Sequence, residues 1–491
     1  VHDIFNAYTR TDQPWAELDT SHRRLESGTN MFEYEPDGKH ETLFTLVDEA
    51  RKRYMETGSE LAQVFLEKYK SNNWILDKSI SQREIFSKRI QPDVEKEKTA
   101  YLLIDALRYE MASDLVAALE NNAKVELEPA LATVPTITEM GMPALLPYVD
   151  QEFEVKSDKD KHGVFAEINN TPLRTREERL KYFDTSLDAE MTVLKLDEIF
   201  PKPKKKDRQK IEEADFVVVT SQEIDSLCES GNVSVARQIM DTILNNLQRA
   251  IRLRFGLGIQ KVVLTADHGH LFLPELTDDM KIDPPAGDTN SLHRRVWVGR
   301  GGNESGAFLR TKLDDFGIKS DLEMAVPWNF ACFKVQGGRN TFFHGGMSLQ
   351  ELAIPVLTAR PLQDKGASLL QQVEWTLEPG SKAVSTRFFS VRVKGKATGL
   401  FDLEPPTIRL EIRAKGQTVS KPVSASYGFE DSTGDVHLKK AKDDPRGFEE
   451  NTVTLMVSGE VSQKTVSVHM LQAGTGVELS RISGIPYTVS I

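Results

Sequence analysis

The segment KVVLTADHGHLFL, residues 261–273, runs from strand-forming residues straight into a carboxylate and two imidazoles. Val262, Val263, Leu264 and Thr265 suit a buried strand, so Asp267, His268 and His270 stand where that strand ends. The pattern recurs on either side. TAYLLIDALRYE (99–110) is an apolar strand closing on Asp105, and MASDLVAALENN follows it as a helix, with KVELEPALA (124–132) as a further strand. ADFVVVTSQ (214–222) leads into Glu223 and Asp225, and a long helix near 233–254 separates it from the opening segment. Strands alternating with helices, several of them apolar throughout, predict an α/β fold whose mostly parallel sheet is covered on both faces. Ligands in such sheets gather at the carboxyl ends of the strands.

A chain of 491 residues exceeds one ordinary core, and its texture changes twice. Residues 1–97 read as a helical packing region. Leu43, Leu46, Val47 and Ala50, then Leu61, Val64 and Phe65 after a Gly58–Ser59 break, predict an antiparallel helix pair. Residues 98–370 are expected to form the α/β domain. From 371 to 491 the period becomes two, as in Phe389, Val391 and Val393, Ile408, Leu410 and Ile412, Val453, Leu455 and Val457, and Val466 and Val468. Short alternating strands between turn-rich segments predict a β-sandwich of immunoglobulin or fibronectin type.

Several classes are disfavoured. No segment approaches the roughly 20 apolar residues of a membrane span. Two cysteines, Cys228 and Cys332, make no disulfide framework, which suits a reducing cytoplasm. The net charge of −12 argues against a generally basic nucleic-acid coat and leaves room for a local positive groove. The run PKPKKKDRQK (201–210) reads as a solvated loop, with contact to a phosphate backbone as the alternative. The chain opens VHDIFNAYTR, without an initiator methionine or a secretory pattern, and is expected to be the later part of a longer protein.

Asp105, Asp267 with His268, and the pair Glu223 and Asp225 all follow strands. Singly, each reads as a turn or cap residue; gathered on one rim they form a negative cluster that divalent metal would neutralise. Mixed Asp/His ligation suits zinc, manganese or iron. The segment LATVPTITEMGMPALLP (131–147) offers Thr136 and Thr138 just before a short helix. Thr138 alone, or Thr136 with Glu139 as a capping box, would cap that helix; the competing reading is a nucleophilic hydroxyl at a helix N-terminus.

As an ordered set, LLIDALRYE (102–110), PTITEMGMPALLP (135–147), EIDSLCE (223–229), TADHGH (265–270) and FFHGGMSLQELAIPVL (342–357) resemble the alkaline phosphatase superfamily and, within it, the PglZ family. The resemblance implies two divalent ions, zinc or manganese. One would be held by Asp105, Thr138, Asp267 and His268, the other by Asp225, Glu229 and His344, with Glu229 standing where many relatives carry histidine. It implies Thr138 as nucleophile of a phosphoester hydrolase passing through a phosphothreonine. Arg108, His293 and Arg294, with neighbouring Arg295 and Arg300, are candidate phosphate contacts, against a reading as surface charge. His270 is either a substrate contact or a rim histidine. The Cys/Ser-x-Pro-x-Arg setting of sulfatases is missing, which favours phosphate. The family further implies a phosphodiesterase or nuclease of BREX phage defence, with a nucleic acid or oligonucleotide among its substrates. Other BREX proteins, including the PglX DNA methyltransferase, would be its partners. The alternative is a catalytically weak scaffold that assembles those components.

Overall fold

Thr99–Ile104 and Lys261–Ala266 are strands buried at every position, and Phe216–Ser221 is buried at all but one. They form the middle of a seven-stranded sheet in a computed structural model that describes residues 1–489 apart from 30–40, 121–122, 159–162, 200–202, 230–232, 256, 274–275, 336–340, 363–372, 398–404, 415–416, 432, 445, 459–460, 462 and 474–475, and apart from the side chains of 227–229, 233–239 and 253–254. The strand order is Ile80–Ser81, Ala123–Leu131, Ala353–Pro361, Lys261–Ala266, Thr99–Ile104, Phe216–Ser221, Met191–Lys195. The last four run parallel to one another, and Ala353–Pro361 is antiparallel to its neighbour Lys261–Ala266. Register matters more than order here. Ile104 lies opposite Ala266 on one side and Ser221 on the other, so the residues that follow all three leave the sheet at one rim.

The chain divides into two compact units, Val1–Arg360 and Pro361–Ile491. The N-terminal helices belong to the first unit, bound through buried polar groups. Asp19 accepts hydrogen bonds from Tyr8 (2.6 Å), Tyr54 (2.8 Å) and Gln350 (3.2 Å). Arg23 bridges Glu110 at 3.1 Å and Asp114 at 2.5 Å. The expected helix pair is instead one helix, Glu41–Ser71. Gly58 does not break it, because the ring of Phe330 packs on the helix there: a Cβ at Gly58 would lie 2.7 Å from Phe330 Cζ. The glycine marks a close approach rather than a turn. The basic run also departs from the expected loop, since Lys205–Glu213 is a helix, largely exposed, with Ile211 buried; residues 201–202 lie outside the described residues.

A four-stranded antiparallel sheet, made of Asp288–Leu292, Trp297–Arg300, Glu323–Pro327 and Phe308–Lys312, turns SLHRRVWVGR into a hairpin with His293 and Arg294 in its turn. The second unit has two antiparallel sheets. One is ordered Val373–Pro379, Phe388–Ala397, Asn451–Val457, Ser420–Ala425; the other centres on Thr407–Ala414 and Thr465–Gln472. Phe389, Val391, Val393, Ile408, Leu410, Ile412, Val453, Leu455, Val457, Val466 and Val468 meet in one core, so the alternation of the sequence becomes a β-sandwich. Among the described residues no helix is long and apolar enough to cross a membrane.

The Gly58 contact makes a signed prediction. Helix propensity alone would make Gly58→Ala stabilising by about 1 kcal/mol, whereas overpacking a buried ring costs about 1–3 kcal/mol. Urea denaturation should therefore show the variant less stable than wild type. In a Phe330→Leu background, where the ring is gone, the same change should become stabilising; stabilisation by Gly58→Ala in wild type would contradict the close approach.

Candidate active site

Asp105 and Asp267 each follow one of two paired strand ends, which sets the two carboxylates side by side. The Asp267 carboxylate is fixed on one side, where Oδ1 accepts from the backbone N–H of Ala106 (3.0 Å) and of His268 (2.9 Å). Holding Ala106 in that bridge places it in the left-handed region at φ +59°, a cost of about 1 kcal/mol or more for a residue with a Cβ. Asp267 Oδ2 and Asp105 Oδ1 are buried and have no hydrogen-bond partner among the described residues. His268 Nε2 faces both, 3.3 Å from Asp267 Oδ2 and 3.9 Å from Asp105 Oδ1. Its Nδ1 lies 2.9 Å from the carbonyl of Gly269, which only accepts, so the proton sits on Nδ1 and Nε2 is a bare lone pair.

Three acceptors, all within 4.8 Å of one another, thus converge on one point. Burial, then the charges of Asp267 and Asp225, holds Asp105 well above the usual carboxylate range. Burial likewise pushes Asp267 up to about 6, and pushes His268 down to about 4. A neutral imidazole and two carboxylates with no donor among them repel one another unless a cation or protons lie between them. The donor set therefore fits a divalent metal of the zinc or manganese type.

Thr138 joins this cluster, with Oγ1 3.3 Å from His268 Nε2. It is the first residue of the short helix Thr138–Gly141, whose N-cap is Ile137 with no side-chain cap bond, so neither expected capping arrangement forms. Thr136 is committed elsewhere: its buried hydroxyl donates to the Gly346 carbonyl (2.7 Å) and accepts from Gly345 N–H (3.1 Å). That bond clasps the PTIT turn to the HGG turn and brings in His344. The His344 ring stacks on His268 with centroids 4.3 Å apart. Its Nδ1 lies 3.2 Å from the Thr136 carbonyl, and its Nε2 lies 3.8 Å from Asp225 Oδ1. Burial, then neighbouring His268 and His293, lowers His344 to about 3, so its imidazole too is neutral at ordinary pH. Glu229 closes the helix Glu223–Glu229, and its side chain lies outside the described residues. Glu223 is half-buried, its carboxyl raised by burial and then by Asp197.

The remaining expected contacts separate. The His293 ring sits 6.4 Å from that of His344, at the edge of the site. Arg294 is half-buried in the same hairpin turn. Arg108 is fully buried and pairs with Glu110 at 2.5 Å, so it belongs to the ionic network under the N-terminal helices rather than to a phosphate pocket. Arg295 is buried against Glu351 at 3.0 Å, and Arg300 pairs with exposed Asp321 at 2.7 Å. His270 is no rim histidine: it is fully buried, donates from Nδ1 to the Ala106 carbonyl at 2.8 Å, and packs its ring against Phe342.

Other groups, not among the expected site residues, hold the side chains of the site still. Gln82, inside the region read as packing, donates to the carbonyls of Ala266 (3.1 Å) and Asp267 (2.6 Å) and accepts from Thr133 N–H (2.8 Å). One buried amide therefore ties the Asp267 strand end to the segment leading to Thr138. Glu351 takes the N–H of Gly346 (2.8 Å) and of Ser348 (3.1 Å) together with Arg295, which rigidifies the HGG turn. The Ser-x-x-Glu spacing of Ser348 and Glu351 was a readable capping box. Gly269 and Gly141 are close approaches. A Cβ on either would lie 2.0 Å from the Gln350 carbonyl or 2.3 Å from the Asp267 carbonyl.

Residues 85–359, more than half of the chain, match the family model described as the BREX system PglZ alkaline phosphatase-like domain. The alkaline phosphatase-like protein PglZ of Bacillus cereus is 23% identical over 424 residues, 81% of this chain and 47% of that protein. The alkaline phosphatase-like protein BrxZ of Escherichia coli is 25% identical over 301 residues, 58% of this chain and 33% of that protein. The chain thus spans half or less of the length of these curated relatives. Among solved structures, murine ectonucleotide pyrophosphatase/phosphodiesterase 5 in complex with AMP aligns at a TM-score of 0.37 and 10% identity, covering 54% of this chain and 88% of its own. Phosphonoacetate hydrolase from Sinorhizobium meliloti aligns at 0.35 and 11%, covering 55% and 91%.

The acceptor cluster sets a pH dependence. A buried carboxyl raised to about 6 stabilises the metal-free fold while protonated, and that contribution is lost as pH rises through 6. Bound metal replaces the proton, so the thermal stabilisation given by Mn²⁺ or Zn²⁺ should grow from about pH 5 to about pH 7. His268, already neutral above about 4, adds no slope at the upper end of that range. Differential scanning fluorimetry with and without metal measures the shift; in Asp105→Asn it should be small at every pH.

Proposed function

The chain belongs to the PglZ family of the BREX system, and from that premise we propose that it is a metal-dependent phosphoester hydrolase with Thr138 as its nucleophile. The observation that carries this reading is the pairing of an accessible hydroxyl with a buried acceptor cluster. Thr138 is half-exposed beside His268 Nε2, whereas the only other hydroxyl on its turn, Thr136, is buried and doubly bonded. Asp105, Asp267 and His268, with Thr138, would hold one divalent ion; Asp225 and His344, with Glu229 from the same helix as Asp225, would hold the second. Bound there, the ions would lower the pKa of the Thr138 hydroxyl and offset charge on the phosphoryl oxygens.

The chain's own residues do the rest. Thr138 Oγ attacks phosphorus, the bond to the leaving oxygen breaks, and the phosphoryl group passes to threonine; water then hydrolyses the phosphothreonine and returns the hydroxyl. The helix starting at Thr138 is held against Asp267 by the Gly141 contact, so the nucleophile cannot drift from the ligands. His268 and His344, kept neutral by burial and oriented through Nδ1, present lone pairs rather than protons. The substrate class is a phosphodiester, with oligonucleotides the form that suits a defence system, acting in the cytoplasm beside other BREX proteins including the PglX methyltransferase.

Hydrolysis of bis-p-nitrophenyl phosphate and of the matching monoester, across Mn²⁺, Zn²⁺ and Mg²⁺, tests the reading. Thr138→Ala should lower kcat by at least about 10³-fold, and Thr138→Ser should retain measurable turnover. A folded, metal-loaded wild type that turns over neither ester with any metal would move the assignment to a scaffold that assembles BREX components.

A further inference from the structure

Of the arginines expected to contact phosphate, Arg108 pairs with Glu110, Arg295 with Glu351 and Arg300 with Asp321. A cation left in the field of the site comes from an element that carries none of the family motifs. The helix Arg176–Ser186 begins at a capping box in which Thr175 accepts from Glu178 N–H. Arg176, Arg179 and Tyr182 recur every third residue along it and so share a face. Both ends of that face are anchored to parts that build the site. Arg176 Nη2 donates to Thr220 Oγ1 at 3.1 Å, on the strand whose end leads to Asp225. Tyr182 Oη donates to the Pro147 carbonyl at 3.2 Å, at the end of the segment that starts with the nucleophile turn.

Arg179 lies between the two anchors. It is half-buried, yet among the described residues nothing hydrogen-bonds or ion-pairs with its guanidinium, which has five N–H donors to satisfy. The anions acting on it are Glu139, next to Thr138, and then Asp267 and Asp105, all beyond ion-pair distance. A half-buried guanidinium in the field of those carboxylates, with no protein partner among the described residues, is free to donate to an anion held at the candidate metal site.

We propose that Arg179 is the substrate-anion clamp of this site, donating to the non-bridging oxygens of the phosphoryl group presented to Thr138, with Arg176 and Tyr182 as positioning residues that fix its helix. This rests on the hydrolase reading above for the identity of the anion as a phosphoester, and on the helix geometry for the identity of the residue. A planar fork on a two-oxygen acceptor is a geometry that lysine does not reproduce.

Binding of inorganic orthophosphate to the Mn²⁺-loaded full chain, measured by calorimetry, tests the clamp without requiring turnover. Arg179→Ala should weaken that binding about 10- to 100-fold, as expected for one charged hydrogen-bonding partner, with Arg179→Lys in between. Manganese binding and thermal midpoint should stay near wild type in both. Added guanidinium should restore part of the orthophosphate affinity to Arg179→Ala and none to Arg179→Lys, a response that a purely structural role would not give. Equal orthophosphate affinity in wild type and Arg179→Ala overturns the proposal, as does no orthophosphate binding by metal-loaded wild type. If wild type hydrolyses no ester but orthophosphate binding still depends on Arg179, the clamp stands and the catalytic assignment alone falls.

Discussion

Two carboxylate oxygens and an imidazole lone pair, buried within 4.8 Å of one another with no proton donor between them, are the constraint around which the first unit is arranged. Left alone, such a cluster is destabilising, because burial in low dielectric magnifies repulsion that water would screen. The raised carboxyls of Asp105 and Asp267 and the lowered His268 are two faces of that cost. The fold tolerates it because the sheet leaves no alternative position. Ile104 is locked opposite Ala266 by a ladder six residues long, and a shift of one residue would turn every side chain of that strand to the other face. Placement of the ligands follows from backbone hydrogen bonds made well inside the core.

Around this cluster, polar side chains are used to fix backbone rather than to reach substrate. Gln82 holds the carbonyls beside Asp267, Glu351 gathers the N–H groups of the HGG turn, and Thr136 joins that turn to the PTIT segment. Each is buried; Gln82 and Thr136 use their bonding capacity on segments distant in sequence, as Glu351 does with Arg295. Glycine does the complementary work. At Gly269 and Gly141 two backbones approach more closely than any side chain allows, which is why the DHG triplet and the EMG turn are tied to their neighbours and not merely near them. Ala106 pays no such steric penalty to a neighbour but holds a left-handed conformation that lets one residue serve both Asp267 and His270.

This division explains what could be read from the sequence. Apolar runs ending in Asp105, Asp267 and Asp225 announce strands and their rim, because burial on both faces leaves a compositional trace. The β-sandwich was equally legible, since Val391 or Leu410 must alternate with polar neighbours to serve a one-sided core. The partners of arginines were not. Arg108 stands three residues from Asp105 and Arg179 far from any motif, yet the first pairs with Glu110 and the second pairs with no carboxylate among the described residues. Which carboxylate meets which guanidinium is decided by packing between segments some 90 residues apart, as for Arg23 and Glu110, and local pattern carries no record of it. The same holds for Gly58, read as a break because its partner Phe330 lies more than 270 residues away.

Electrostatics then bounds what the site can take. A chain of net charge −12 repels a polyanion at long range, and the Debye length of about 8 Å at physiological salt confines any attraction to groups at the site itself. Arg23, Arg108, Arg295 and Arg300 each face a carboxylate. On the proposed reading, phosphate would be held by the metal positions and the Arg179 guanidinium, a set that matches one phosphoryl group. A groove tracking many phosphates would need a row of free lysines and arginines. On that reading the site would take one phosphoester at a time.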